Sequence, residues 1–245
     1  MSTEPVPSLG NQAKVDVPAE LIGHAGVASP PRVMAGPELA SQCEEVYRHA
    51  NWDSGRVPWC RSGADPLLVE WLNSQAPLLV RPGSRAVVVG VGLGDDLAAI
   101  HQRGYDVLGF DVSPTAVNWA SRRHPACAEH FVCADLFNLP ARLRKRFDLV
   151  VEVRTLQQLP PGLRVDALSA IAELMSPRGV VLVVTRARPP ERALNAYVSQ
   201  PFPFTRQELL AAAAGAGLMP IRGEGGVEDH YVDETPHLRA VFARG

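Results

Sequence analysis

Three glycines at every second position, Gly90, Gly92 and Gly94, follow the β-branched run Val87-Val88-Val89 and lead into Asp95 and Asp96. Glycine admits backbone conformations closed to other residues and lets a ligand reach the main chain. This strand-to-helix turn therefore reads as a loop for a nucleotide-type cofactor. A dinucleotide fingerprint, Gly-x-Gly-x-x-Gly, needs its third glycine at position 95, where this chain has aspartate. A pyrophosphate at that helix start would meet two carboxylates at close range. S-adenosylmethionine (SAM) carries no phosphate and brings a sulfonium and an ammonium, which acids near the loop suit. The alternative is a structural turn whose acids complement the helix dipole.

Downstream, Leu97, Ile100 and the apolar part of His101 recur at helical spacing, and Arg103-Gly104 supplies a helix stop. Tyr105 to Asp111 reads as a second buried strand ending in a carboxylate, 21 positions after Gly90. A separation of about 20 is expected of an acid that accepts hydrogen bonds from a ribose. The alternative for Asp111 is a strand-end turn residue. Ser113-Pro114 then opens another helix, with serine as N-cap and proline in the first turn.

These residues need a sheet to hold them. From Arg85 onward strands and helices alternate: strands at Val87–Val89, Tyr105–Asp111, His130–Cys133, Phe147–Val153, Val180–Thr185, Leu218–Arg222 and Leu238–Ala243, with helices between most of them. The run Val180–Thr185 is nearly unbroken in its apolar character, as for a strand covered on both faces. Such alternation predicts an α/β fold, a doubly wound and mostly parallel sheet of seven strands. Thr205-Arg206-Gln207-Glu208 is a capping box opening the last helix. The Pro-rich residues 1–35 lack any aromatic side chain and read as a disordered tail. Residues 36–84, with helices from Gly36 and Pro66, form an N-terminal helical lid, and 85–245 the cofactor domain.

Composition excludes several functions. With a net charge of −2 over 245 residues and one local cationic cluster, Arg142 to Arg146, the chain has no nucleic-acid footprint. Four cysteines without CxxC or zinc spacing read as free thiols in a reducing cytosol, with no metal site. No signal-peptide pattern or membrane-length apolar run is present. A soluble cytoplasmic protein acting on a small molecule, compact enough to be a monomer, is expected.

The loop, Asp111 and the strands after the last helix together resemble a class I SAM-dependent methyltransferase with a Rossmann-like sheet. Within that class the chain is similar to the thiopurine/thiol methyltransferase family and its halide relatives. The similarity lies in Trp52-Asp53-Ser54-Gly55-Arg56-Val57-Pro58-Trp59 with Pro66-Leu67, and in Pro201-Phe202-Pro203-Phe204-Thr205-Arg206-Gln207-Glu208-Leu209. Val91, Cys60 and the segment Glu152-Val153-Arg154-Thr155-Leu156 depart from the family pattern. The resemblance implies that Gly90, Gly92 and Gly94 approach the methionine and ribose, that Asp111 binds the ribose, and that Val112 and Ser113 flank the adenine. It implies that Asp135 reaches the adenine amine with Leu136 beside the ring, and that Glu152 and Val153 lie beneath the cofactor. Asp135 read by itself is also a helix N-cap, and Glu152 a structural partner of Arg154. Trp52 and Trp59 would close a lid over the cofactor, attracting the sulfonium and excluding water; the alternative is core packing.

Methyl transfer from a sulfonium is an in-line displacement that needs alignment and a dry site more than acid catalysis. A thiol is already partly ionised at neutral pH. Arg154 and Arg186, at strand C-termini, are candidates for a cationic field over the acceptor, unless they are solvated. His230, with Tyr231 in a loop between the last strands, is a candidate base for a hydroxyl or amine acceptor. O- or N-methylation of a small metabolite, an NAD(P)-dependent oxidoreductase and a non-catalytic SAM-binding module are the competing readings.

Overall fold

A computed structural model describes residues 36–197, 199–222 and 226–245. The tail expected over 1–35 lies outside them. Five strands run parallel: β1 (Arg85–Val89), β2 (Asp106–Asp111), β3 (Phe131–Cys133), β4 (Phe147–Val153) and β5 (Met175–Arg186). Their order, 3-2-1-4-5, reverses direction between β1 and β4. That switch point opens a crevice at the strand C-termini, where open α/β sheets bind ligands.

The sheet continues with β8 (Thr235–Arg244), antiparallel to β5. β6 (Leu218–Pro220) and β7 (Val227–Val232) pair with opposite ends of one edge of β8, so eight strands fill seven positions. The seventh-strand expectation holds, but the segment read as a loop is β7. It carries Glu228, Asp229 and His230 in a polar run between Val227 and Val232, which are buried. The β7–β8 turn uses Asp233 and Glu234, both at positive φ (47° and 62°), without the Asn-Gly signal that announces such hairpins.

Alternation along the inner strands divides the core. Val87, Val89, Val150, Val181 and Val183 join one apolar cluster with α6 (Arg164–Leu174) and α7 (Arg206–Gly215). Ala86, Val88, Leu149, Val151, Val180, Leu182 and Val184 join the other, with α2 (Pro66–Ser74), α3 (Ala76–Leu79), α4 (Asp95–His101) and α5 (Pro114–Arg123). Each fully buried Val or Leu contributes about 1.5–3 kcal/mol by area, which fixes the register of the strand ends carrying the site. Trp71 and Leu68 of α2 are fully buried in this second cluster, so the N-terminal segment is partly core and partly cover.

The cover is α1 (Gly36–Ala50), whose Tyr47 and Ala50 pack with Val57, Leu93, Ala116 and Trp119. Glu44 fastens it to the start of α5. Its carboxylate accepts hydrogen bonds from Ser113 Oγ (2.7 Å), Thr115 N (3.1 Å) and Thr115 Oγ1 (2.5 Å). A carboxylate at a helix N-terminus is favoured by the orphan amides and the dipole there. No helix among the described residues is long and apolar enough to cross a membrane.

Candidate active site

The C-terminal ends of β1, β2 and β4 open into one cleft, floored by the glycine loop and roofed by α1 and the segment 57–65. It holds a cavity of about 210 Å³ that opens to solvent at its mouth, in the concave position at the strand ends where small-molecule sites form.

All three loop glycines take positive φ, and Gly90 and Gly92 show what the geometry of the cleft floor requires. Gly90 has φ +64°, and a Cβ there would stand 2.2 Å from Thr155 Oγ1. Thr155 itself is held by donating to the carbonyl of Val89 (3.1 Å), which ties β4 to the loop. Gly92 has φ +54°, and its Cβ would fill the gap beneath Tyr47, 3.3 Å from the hydroxyl. A bare backbone on that floor leaves the space for a ligand.

Asp111 closes β2 with both carboxylate oxygens engaged: Gly92 N donates to one (3.0 Å) and Ser113 N to the other (3.0 Å). Burial raises its pKa, against the pull of the amides of Ser113, Gly92 and Val112. It lines the cleft, and each oxygen keeps acceptor capacity for a hydroxyl pair. Asp135 caps a short 3-10 turn by accepting from Phe137 N (2.9 Å), and also lines the cleft with Leu136 and Val112. Its capping and lining placements coexist.

The two acids after the glycines part company. Asp95 faces α5, 3.2 Å from Arg123 Nη2 and 3.4 Å from His124 Nε2. Asp96 turns to the N-terminal segment and accepts the Asp65 amide (2.7 Å). Burial raises the Asp96 pKa to about 7; the Asp65 amide and Arg154 oppose the rise, and the charges of Asp65 and Asp95 add to it. The loop is thus not guarded by two free charges: one is paired and the other titrates near neutrality.

Asp65 caps α2 by accepting from Leu67 N (2.9 Å) and pairs with Arg154 Nη2 (2.7 Å), Asp65 being buried and Arg154 partly buried. Arg154 reaches Asp65 because its backbone takes φ +64° directly after β4. A left-handed non-glycine residue costs about 1–2 kcal/mol, and such strain concentrates at functional sites. Burial lowers the Arg154 pKa, while Asp65 opposes the shift. Trp59 lies in the roof and donates from Nε1 to the Tyr47 hydroxyl (2.8 Å).

Of the residues singled out from the sequence, the cleft brings together Trp59, Gly90, Gly92, Gly94, Asp111, Val112, Asp135, Leu136, Val153 and Arg154. The others sit elsewhere. Trp52 is on the surface, its ring 5.5 Å from that of Trp119 and under Arg122. Ser113 is the buried N-cap of α5. Glu152 is fully buried behind the loop, where its Oε1 accepts from Thr155 N (2.6 Å) and Leu156 N (2.8 Å); burial pushes its pKa up to about 8. It therefore positions Thr155 and is not the ion-pair partner of Arg154. Arg186 is outside the cleft lining, its amide donating to Gln157 Oε1 (2.6 Å). His230 lies on β7, 3.2 Å from Glu228 Oε2 and away from the cleft.

Tyr47, Asp65, Thr155, Gln158 and Gln200 also line the cleft and were not anticipated. Asp65 carried a readable signal, an acid directly before the Pro66 helix start. No group of His, Cys, Asp and Glu among the described residues has the arrangement to hold a metal ion.

Compared with known proteins, residues 44–213 match the family described as thiopurine S-methyltransferase. Thiocyanate methyltransferase 1 of Brassica oleracea is 26% identical over 168 residues, 65% of this chain and 72% of the relative. A probable thiol methyltransferase 2 of Arabidopsis thaliana is 25% identical over 55% of this chain, and the match spans 58% of that protein, less than two thirds of its length. Among solved structures, a 1,6-didemethyltoxoflavin N1-methyltransferase of Burkholderia thailandensis, with S-adenosylhomocysteine bound, superposes with a TM-score of 0.69. It is 20% identical, and the superposition covers 89% of this chain and 93% of that one. That likeness shows the fold.

Proposed function

Because the chain belongs to the thiopurine S-methyltransferase family and is a SAM-dependent methyltransferase, we propose that its acceptor is a small-molecule thiol or another soft nucleophile. The family match carries the sulfur acceptor, and the pinned Asp111 carboxylate beside the left-handed glycines supports the cofactor's placement, since it suits a ribose diol next to a backbone cradle. When bound, SAM supplies a methyl group on a sulfonium whose leaving group is a neutral thioether.

Asp111 would hold the ribose hydroxyls, and Asp135 the adenine amine, with Leu136 and Val112 against the ring. The glycine loop and Arg154, with Asp65, would face the methionine end, where the ligand carries both an ammonium and a carboxylate. Tyr47 and Trp59 roof this end and exclude water, which strengthens every charge interaction beneath them. Arg154 is the one of the two candidate arginines that lies at the cleft, so it would contribute a cationic field on the acceptor, beside Arg61, which also lines the cleft and pairs with Asp233; Arg186 and His230 are withdrawn from that role.

The experiment is S-adenosylhomocysteine release measured across alkyl and aryl thiols, thiocyanate, iodide, phenols and amines. Turnover concentrated in the sulfur acceptors supports the reading. Turnover confined to phenols or amines overturns it.

A further inference from the structure

We propose that Asp96 is the proton acceptor for the incoming thiol, taking the S–H proton at Oδ2 as the acceptor enters the cleft; this rests on the thiol reading above. Among the described residues five carboxylates line the cleft, and the contacts in the structure together with the cofactor placement proposed above engage four of them. Asp65 is paired with Arg154 at 2.7 Å, and Asp95 faces Arg123 and His124. Asp111 takes the amides of Gly92 and Ser113, and Asp135 caps its turn through Phe137 N. Asp96 accepts one bond, from Asp65 N to Oδ1, and has no cation within ion-pair distance among the described residues. Its Oδ2 has no hydrogen-bond partner there.

The other titratable groups in the cleft cannot serve at neutral pH. Burial holds the Tyr47 hydroxyl well above its ordinary range and the Cys43 thiol at about 11, and it also raises Cys60. Among the described residues, no histidine or lysine lines the cleft. The charged groups facing Asp96 are Asp65 from the start of α2, Asp95 from α4 and Arg154 from the end of β4. Together with burial they hold this carboxyl where a base for a thiol of pKa about 8.5 is best placed, near the working pH.

In the step, the S–H bond breaks with its electron pair left on sulfur, and an O–H bond forms at Asp96 Oδ2. The resulting thiolate is the nucleophile. After transfer the proton leaves Asp96 for solvent through the cleft mouth, so that one proton is released per methyl moved. No oxidant, metal or further co-reactant is needed.

The substitution Asp96→Asn keeps an oxygen for the Asp65 amide and removes the base. The expected result is a loss in kcat/KM of about 10²-fold or more for alkyl thiols, as removal of a general base produces. The loss should shrink to within about threefold for thiocyanate and for thiophenols already ionised, with S-adenosylhomocysteine affinity by calorimetry unchanged on the same scale. A carbon-13 titration of the Asp96 carboxyl in the S-adenosylhomocysteine complex should show it ionising near pH 7, and a carboxyl already ionised at pH 5 overturns the proposal. In the unmodified enzyme, kcat/KM for an alkyl thiol should level off above pH about 7; a rise continuing to the thiol's own pKa overturns the proposal without any variant. An equal loss for every acceptor with weakened S-adenosylhomocysteine binding also overturns it, placing Asp96 on the cofactor. If the unmodified enzyme methylates thiocyanate but no protonated thiol, this proposal fails while the soft-nucleophile reading stands. If it methylates no sulfur acceptor, the reading beneath fails first.

Discussion

Replacing Asp111 by Asn separates the cost of binding from the cost of folding. In the ligand-free chain the carboxylate is buried and held by two backbone amides, with no cation in ion-pair reach among the described residues. An asparagine keeps one acceptor for one amide and turns its NH₂ toward the other, losing a hydrogen bond worth about 1 kcal/mol net. Against this, it removes a charge whose burial is itself unfavourable, as the raised pKa indicates. Stability should therefore stay within about 1–2 kcal/mol of the unmodified chain. Binding is different. The ribose diol would lose one of two charge-assisted bonds and the charge strengthening the other, about 2–3 kcal/mol in all. At 1.4 kcal/mol per decade this is about 30- to 150-fold in Kd. Calorimetric titration with S-adenosylhomocysteine, alongside a thermal melt, reads both quantities. An affinity within threefold of the unmodified chain would refute the ribose role, and a collapse of the melt would refute the stability argument.

Other perturbations test neighbouring parts of the site. Gly90→Ala forces a side chain into the left-handed region at φ +64° and against Thr155 Oγ1 at 2.2 Å; S-adenosylhomocysteine binding by calorimetry should weaken more than tenfold, and Thr155→Ala added to it should recover part of the loss. Glu152 ionises near 8 when folded against 4.5 ordinarily, so the folded chain keeps a proton that the unfolded chain has shed between those values. Its contribution to stability is full below about 4.5 and declines as pH rises to about 8. Melts of Glu152→Gln should therefore gain on the unmodified chain from pH 5 to pH 8, and a constant difference would contradict the shift. Glu44→Ala frees α1 from α5 by deleting three hydrogen bonds at a partly exposed site; stopped-flow fluorescence should show S-adenosylhomocysteine leaving several-fold faster, with about 1 kcal/mol or more of stability lost.

The sequence spoke most clearly where one residue type has one use. Val180–Val184 is apolar throughout because helices cover both faces of β5, and Ser113-Pro114 and Thr205–Glu208 are helix starts whose capping partners lie within three residues. The glycine loop and Asp111 were legible for the same reason, since their spacing is set by one strand-loop-helix unit. What stayed hidden depends on partners far along the chain. Asp65 meets Asp96 across 31 positions, and it meets Arg154 through a left-handed backbone that no propensity announces. The split between Asp95 and Asp96 follows from α5 presenting Arg123 and His124 on one side only. β7 was taken for a loop because a strand with a wet face next to an Asp-Glu turn has neither apolar alternation nor a turn signature.

The most direct test of the account follows a carbon-13 methyl group from labelled SAM in a single turnover with an aryl thiol and a phenol present together. The account predicts one labelled S-methyl product for each S-adenosylhomocysteine formed, with the phenol unlabelled. Label on oxygen, or tight SAM binding with no transfer to any sulfur acceptor, would contradict it.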